Sequence, residues 1–226
     1  MTTLTTHGCG YARSVRGVLP ADAELVARLR ARDEAAFALV VDAWSGGMLR
    51  LARSFVSSQD TAAEVVQDAW LAVVRNIGRF EGRAALKTWV YRILVNNAKR
   101  RAARDGRGGP MSSLEQDRGP TVDPDRFQGP DEAYPGHWRE PPAPWPSPER
   151  RALDGELRAR LREALDGLPE RQRIVITLRD VEGYTADEVC SILEISAANQ
   201  RVLLHRARAF VRARLEEYFA GGAVTG

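Results

Sequence analysis

A proline-rich stretch near the middle of the chain divides the sequence and limits how it can fold. Ten of the twelve prolines lie between Pro110 and Pro148, accompanied by several glycines. Proline lacks a backbone donor and interrupts helices and inner strands, so this stretch cannot belong to a regular bundle or sheet. The sequence therefore predicts two folded segments, a linker, and disordered ends, with these bounds in order: 1–20 disordered, 21–104 folded, 105–148 linker, 149–219 folded, and 220–226 disordered.

The first folded segment has the apolar spacing of helices. Apolar side chains recur every three or four residues over 22–44, which predicts one helix that Gly46 and Gly47 end before a second short one. Asp60 or Thr61 is expected to cap the next helix, with Glu64 completing a capping box. That helix carries a stripe predicted to face the core: Val66, Ala69, Trp70, Val73, Val74 and Ile77. A further helix is predicted over 85–104.

The second folded segment also reads as helices throughout. We expect one over 148–166, a break at 167–169, and three shorter helices over 170–180, 185–193 and 197–218. Thr185 and Glu188 form a capping box, and the short connection to Ser196 is typical of a helix-turn-helix with Ser196 as the cap. Neither segment shows the turn-bounded Val, Ile and Thr alternation of strands, so the predicted fold class is all-α.

Positive charge is concentrated in two places, although the formal net charge is only +3. Residues 82–104 hold seven basic side chains and residues 195–215 hold five, and neither segment holds an acid. Two acid-free basic segments indicate a polyanionic partner, nucleic acid above all. In a helix-turn-helix the second helix enters the major groove, where amides such as Asn199 and Gln200 suit adenine and Arg201 suits guanine.

Other functional classes find little support in the sequence. The two cysteines and three histidines are isolated, so neither a disulfide framework, a metal site nor another cofactor is expected. The acids are scattered over helix caps and solvent faces, which argues against an enzyme such as a nuclease. No apolar run approaches the roughly 18 residues of a membrane span, so we expect a cytoplasmic protein without membrane insertion.

Several motifs in the first segment resemble region two of bacterial RNA polymerase sigma factors: 64–70 (EVVQDAW), 80–83 (FEGR) and 88–96 (TWVYRILVN). Motifs in the second resemble region four: 168–173 (LPERQR), 177–180 (TLRD), 183–189 (GYTADEV) and 201–208 (RVLLHRAR). With these two regions alone, the chain is similar to the extracytoplasmic-function group, which lacks a folded region three. The resemblance implies a factor that binds core RNA polymerase and promoter DNA and is restrained by an anti-sigma protein.

The resemblance also assigns expected roles to residues. The region-two helix docks on the clamp helices of the polymerase β′ subunit, here through Glu64, Gln67, Asp68 and Leu71. Region two opens the promoter and captures a flipped base of the minus-ten element, here through Phe80, Arg83, Lys87, Arg92, Asn96, Lys99 and Arg100. Region four binds the minus-thirty-five duplex, here through Ser196, Asn199, Gln200, Arg201, His205, Arg206 and Arg208. The polymerase partner that the resemblance implies includes the β′ and β subunits.

Two residues depart from the family pattern, and two alternative functions stay open. Glu81 and Val202 differ from the family pattern, which leaves the base preference unassigned. A stand-alone helix-turn-helix regulator would explain the second segment but not the first, and a sigma mimic would lack the basic residues. The linker has a net charge of −4 and four aromatic residues, so it is either a docking segment that threads the polymerase cleft or a plain tether.

Overall fold

A computed structural model describes residues 19–106 and 153–222, and its regular elements there are all helical, which confirms the all-α class. The linker and the two ends predicted to be disordered lie outside the described residues, apart from a few flanking positions. The N-terminal bundle comprises α1 (Asp22–Arg30), α2 (Glu34–Ala52), α3 (Gln59–Asn76), a 3-10 turn (Ile77–Arg79) and α4 (Leu86–Arg104). The C-terminal bundle comprises α5 (Leu153–Asp166), α6 (Glu170–Ile176), a π-helical turn (Thr177–Val181), α7 (Ala186–Leu193) and α8 (Ala197–Gly222).

The single helix predicted over 22–44 is wrong, because the chain breaks between α1 and α2. Arg32 adopts a left-handed conformation with φ of 58°, and Asp33 caps α2. The Asp33 carboxylate accepts hydrogen bonds from the amides of Ala35 and Ala36 at 2.9 and 3.1 Å. It also pairs with Arg28 at 2.8 Å, and these donors hold its pKa below the usual value. A local cap here outweighs the continuous apolar spacing.

The predicted helix end at Gly46–Gly47 is also wrong, since α2 continues through both glycines to Ala52. A Cβ atom at Gly47 would overlap the Tyr91 hydroxyl and the Glu182 carboxylate, so the glycine permits this close approach. A helix-interior glycine costs about 1 kcal/mol, which the packing around it offsets. Gly47 therefore marks a contact surface, whereas Gly46 is exposed.

The cap of α3 and one position of its core stripe differ from the prediction. Ser58 caps the helix, accepting a hydrogen bond from the Thr61 amide at 3.0 Å, while Glu64 pairs with Arg101 at 2.8 Å. Val74 is 50% exposed, although the other stripe residues are buried as predicted. The spacing of apolar residues alone does not decide whether Val74 is buried, because Val74 lies at the edge of the apolar stripe.

The helix break and the helix caps of the C-terminal bundle lie where the sequence predicts them. The chain breaks at 167–169, and the capping box of Thr185 and Glu188 is confirmed. Glu194 adopts a left-handed conformation with φ of 60° after α7, and the Ser196 hydroxyl accepts from the Asn199 amide at 3.2 Å. The helix-turn-helix connection between α7 and α8 is therefore confirmed.

The two bundles pack against each other. Helix α4 lies between α3 of its own bundle and α7 of the other, and buried apolar side chains from both bundles form one connected core. Within the described ranges, α2 is the one helix whose length and mean hydropathy of 1.3 would allow it to cross a membrane. Its buried side chains, including Val40, Met48 and Leu51, belong to this core, as is ordinary for the central helix of a bundle.

Candidate nucleic-acid interface

The solvent face of α3 carries the residues expected to bind the polymerase. Glu64, Gln67 and Asp68 are exposed, and Leu71 is 52% exposed. Val74, one turn beyond Leu71, adds a second exposed apolar side chain that the sequence placed in the core. An open groove begins beside Asp68 and Leu71 and runs to α4, where Asn97, Arg100 and Arg104 line it. The face thus combines an apolar centre with a polar rim, as protein-binding surfaces do.

The loop before α4 is held in place from α1. The Arg30 guanidinium donates to the carbonyl oxygens of Ile77 and Phe80, and the Leu86 amide donates to Asp22 at 2.7 Å. Gly82 has a φ of +73°, which a residue with a side chain adopts only with strain. Sequence reasoning missed Arg30 and Asp22, because nothing in the chain before α2 indicates contact with a loop fifty residues away.

Two loop residues expected to meet DNA have different environments. The Phe80 ring is 7% exposed and packs against Trp89 with ring centroids 5.2 Å apart, so it does not present a free stacking face in this arrangement. Arg83 is almost fully exposed and pairs with Glu81 at 2.6 Å. The predicted roles of both residues stay predictions.

Three of the basic residues expected to bind DNA from α4 contact the C-terminal bundle, although the Arg92 side chain is still 44% exposed. Lys87 lies over the Tyr184 ring, with its Nζ atom 4.8 Å from the centroid. Arg92 pairs with Glu194 at 3.2 Å, and Lys99 donates to the Leu193 carbonyl at 3.1 Å. Burial lowers the pKa of Lys99, and the charge of Glu194 opposes that shift. Asn96 and Arg100, on the adjoining part of α4, are exposed.

Glu182, which directly follows the π-helical turn, inserts its carboxylate into the N-terminal bundle. One oxygen of Glu182 accepts from Arg50 Nε and Nη2 at 3.0 and 2.7 Å, and the other accepts from the Tyr91 hydroxyl at 3.3 Å. The rings of Tyr91 and Tyr184 meet across the same contact at 5.1 Å. Burial, together with the nearby Glu182 charge, raises the pKa of both tyrosines, so both stay neutral. The signal in the sequence was Gly47, which was read as a helix end.

A second carboxylate bridges the two bundles. Glu188 accepts from the Thr185 amide and hydroxyl, both at 2.9 Å, and from the Thr88 hydroxyl of α4 at 3.0 Å. Burial alone would raise the pKa of Glu188, but these hydrogen bonds and the charge of Lys87 together lower it below the usual value. The capping box of α7 is therefore also part of the contact between bundles.

The residues of α8 expected to read DNA divide into exposed and buried groups. Ser196, Arg201 and His205 are exposed, and Arg206 is half-buried. Arg208 forms a two-point contact with Asp180 at 2.7 and 2.8 Å, which raises its pKa. Asn199 and Gln200 are only 5% and 2% exposed, so neither presents its amide to a duplex in this arrangement.

Comparisons with known proteins agree with these features. A family model described as Sigma-70 region 2 matches residues 40–108, and one described as Sigma-70, region 4 matches residues 158–211. The RNA polymerase sigma-H factor of Pseudomonas aeruginosa is 32% identical over 187 residues, covering 83% of this chain and 90% of that protein. The ECF RNA polymerase sigma-E factor of Escherichia coli K12 is 31% identical over the same shares.

Two solved structures share the fold. CnrH in complex with the cytosolic domain of CnrY matches with a TM-score of 0.55 and 23% identity, covering 88% of this chain and 99% of that one. The sigma factor RpoE, in complex with the anti-sigma factor NepR from Bartonella quintana, matches with a TM-score of 0.52 and 21% identity, covering 80% and 96%.

Proposed function

The chain belongs to the extracytoplasmic-function group of the sigma-70 family, and from that premise we propose that it directs core RNA polymerase to specific promoters and opens their strands. The N-terminal bundle would bind the polymerase and the minus-ten element, and the C-terminal bundle the minus-thirty-five element. The observation that supports this most is the exposed apolar patch of Leu71 and Val74 on α3. An exposed apolar patch indicates a protein partner, and duplex binding by the helix-turn-helix alone gives this surface no role.

The docking step rests on shape and charge. Leu71 and Val74 supply an apolar centre, and Gln67 and Asp68 supply polar contacts beside it. A basic helical surface on the polymerase complements this patch, which in the family is the pair of clamp helices of β′. Burying two half-exposed aliphatic side chains contributes on the order of 1–3 kcal/mol in total.

The strand-opening step would use α4 and the loop before it. Asn96 is exposed and has both a donor and an acceptor for a base edge, and Arg83 can also donate to a base edge, while Arg100 can meet phosphates. For Phe80 to stack on a flipped base, its ring must leave Trp89. Base stacking on an aromatic ring is worth about 1–3 kcal/mol, which is enough to compensate for that separation.

The duplex-binding step would use the exposed side of α8. Arg201 and His205 lie within its first three turns, the part of a recognition helix that meets base edges. Arg206 and Arg208 follow on the same helix, where they would contact phosphates. We also propose an anti-sigma protein as a partner, since both structural relatives were solved in complexes and that of RpoE names an anti-sigma factor.

The test is a reconstitution with bacterial core RNA polymerase free of other sigma factors. The purified chain and a genomic fragment library are supplied, and the 5′ ends of the transcripts are sequenced. We expect discrete start sites that share two upstream motifs. Specific binding to duplex DNA without any directed initiation would favour a regulator and overturn the proposal.

A further inference from the structure

The loop that joins the 3-10 turn to α4 has little packing of its own. We call residues 80–85 the reading loop, because they include Phe80 and Arg83, two of the candidate contacts to the minus-ten element. Residues 81–85 are all exposed, and a Cβ atom added at Gly82 would meet no neighbour within 4 Å. An open groove of about 880 Å³ lies between the loop and α1. The course of the reading loop therefore depends on how its two ends are held.

The first end of the reading loop is held by Arg30, the last residue of α1. Its guanidinium donates through Nε to the Ile77 carbonyl at 3.4 Å and through Nη2 to the Phe80 carbonyl. A planar guanidinium can hold two acceptors in a fixed relation, whereas an ammonium group acts as a single point charge. Both acceptors are backbone atoms. The Phe80 ring can therefore turn away from Trp89 by side-chain rotation while the loop keeps its course.

The second end of the reading loop is held by Asp22, the first residue of α1. Its carboxylate accepts a hydrogen bond from the Leu86 amide, the first amide of α4, at 2.7 Å. The adjoining Ala85 has no side-chain acceptor, and the first turn of α4 holds no acid. The first amides of a helix lack intrahelical partners and favour a negative charge nearby. Asp22 thus supplies from α1 the cap that α4 does not carry itself.

We propose that Asp22 and Arg30 are positioning residues for base selection at the minus-ten element. Together they clamp the reading loop to α1, so that its aromatic and basic side chains meet the captured base in one geometry. The inference rests on the proposed function, because the clamp matters for selection only if this loop reads a base. A loop that is ordered before DNA arrives avoids the entropy loss of ordering on the DNA. A base that fits the held geometry gains more from this than one that does not.

The two residues have opposite charges, which separates a clamp from direct contact with DNA. If Arg30 acted on phosphates, Asp22 would repel the same phosphates, and removing Asp22 would strengthen DNA binding. If both residues act on the loop, removing either one has the same effect. Arg30→Lys tests the same point, since it keeps the charge and loses the two-point geometry.

The test compares clamp variants with one matched control, all in the full chain. Arg30→Lys and Asp22→Ala each release one end of the reading loop. Asp22→Asn keeps an oxygen that can accept from the Leu86 amide, so it serves as the conservative rescue. Asp42→Ala removes an exposed carboxylate from α2 and has the same change of net charge as Asp22→Ala.

Strand opening is measured at saturating holoenzyme on two promoters. One is a promoter found by the reconstitution, and the other carries a change at the minus-ten base where the wild type discriminates most. We expect Arg30→Lys and Asp22→Ala to slow opening of the matched promoter about tenfold and that of the altered promoter little, so the ratio of the two rates falls about tenfold. Asp22→Asn should restore most of the ratio, and Asp42→Ala should keep it. A loss of folded protein would lower both rates together and leave the ratio unchanged.

Hydrogen exchange of the free chain, followed by mass spectrometry, measures the clamp without DNA or polymerase. We expect the amides of residues 80–86 to exchange faster in Arg30→Lys and Asp22→Ala than in Asp42→Ala, because their end of the loop opens more often. Exchange in α3 should be the same in all of these proteins.

The outcomes separate the clamp from the proposed function. If the wild type initiates at promoters, an unchanged ratio in both clamp variants overturns the role in base selection, whatever the exchange shows. A fall confined to one variant, or opposite effects of the two, would make that residue a separate contact and also overturn the clamp, as would a lower ratio without faster exchange. No directed initiation by the wild type overturns the proposed function, and faster exchange would then leave only a structural contact. A lower ratio with faster exchange in both variants supports the inference.

Discussion

Helices α4 and α8 have the same charge signature in the sequence and different surroundings in the fold. Both are rich in basic residues, and the acid-free segments 82–104 and 195–215 cover α4 and most of α8. On α4, Lys87, Arg92 and Lys99 are engaged by the opposite bundle, whereas on α8 Arg201 and His205 are exposed. The difference teaches that a basic segment shows what a helix can bind, while an aromatic ring, a carbonyl and an acid from elsewhere in the fold decide how available its basic residues are.

The largest expected effect is on binding to core polymerase, and it comes from the exposed face of α3, outside both basic helices. The double variant Asp68→Lys with Leu71→Ala should weaken binding to core polymerase about 100-fold, because hot-spot residues contribute about 2–4 kcal/mol. Biolayer interferometry with immobilised core polymerase measures the loss. The exposed Asp42→Lys on α2 is the charge-matched control. Unchanged affinity for the double variant would remove α3 as the docking surface.

The next effect tests the exposed helix. Arg201→Ala should weaken binding of the holoenzyme to a minus-thirty-five duplex by about 1–3 kcal/mol if the guanidinium reads a base. Arg214→Ala, further along α8 and paired with Glu217, should change affinity little. Competition between matched and mutated duplexes measures both variants. An equal loss on every duplex would demote Arg201 to a phosphate contact.

A smaller effect is expected on the covered helix, at its exposed edge. Asn96→Ala should slow strand opening about tenfold, which corresponds to about 1.4 kcal/mol, while closed-complex affinity changes less. Fluorescence of 2-aminopurine placed in the minus-ten element follows opening, and closed-complex binding measured at low temperature serves as the internal comparison. A larger loss in closed binding than in opening would contradict a base-capture role.

The smallest expected effect is on the free energy of unfolding, measured for helix-cap variants in the two bundles. Thr185→Ala should lower the free energy of unfolding by about 1 kcal/mol, and Ser58→Ala by a similar amount. Glu188 has a lowered pKa, so it stabilises the fold above its unfolded value of 4.5, and this contribution fades as the pH falls through the folded value. The Thr185→Ala deficit should therefore shrink in acid, while that of Ser58→Ala stays constant. Urea unfolding at pH 7 and pH 4 tests the contrast, and equal pH dependence would contradict it.

Local patterns predicted the C-terminal bundle better than the N-terminal one. The capping box at Thr185 and the cap at Ser196 are chemical signals between near neighbours, and both are present. In the N-terminal bundle, the break at Asp33 and the continuation through Gly47 depend on how a cap or a distant side chain competes with apolar spacing. Tertiary packing decides this competition, and the spacing of apolar residues gives no information about tertiary packing.

The sequence predicted which types of residue the candidate site contains, but not which residues contact one another. Exposure of Asn96, Arg100 and Arg201 follows from their place opposite apolar stripes. Burial of Asn199 and Gln200 was not foreseen, because amides in the first turn of a recognition helix resemble DNA contacts. The pairing of Glu182 with Arg50 joins residues 132 positions apart, and no local motif encodes it.

The most direct test of the account is to map both bundles on one promoter. An iron-chelate cleavage reagent is attached to a cysteine introduced at the exposed Ala84 or at the exposed Val202, with Cys9 and Cys190 replaced by serine. In a complex with core polymerase and a promoter found by the reconstitution, the account predicts cuts near minus ten from residue 84 and near minus thirty-five from residue 202, about 25 base pairs apart. Cuts from both positions within the same element would contradict it.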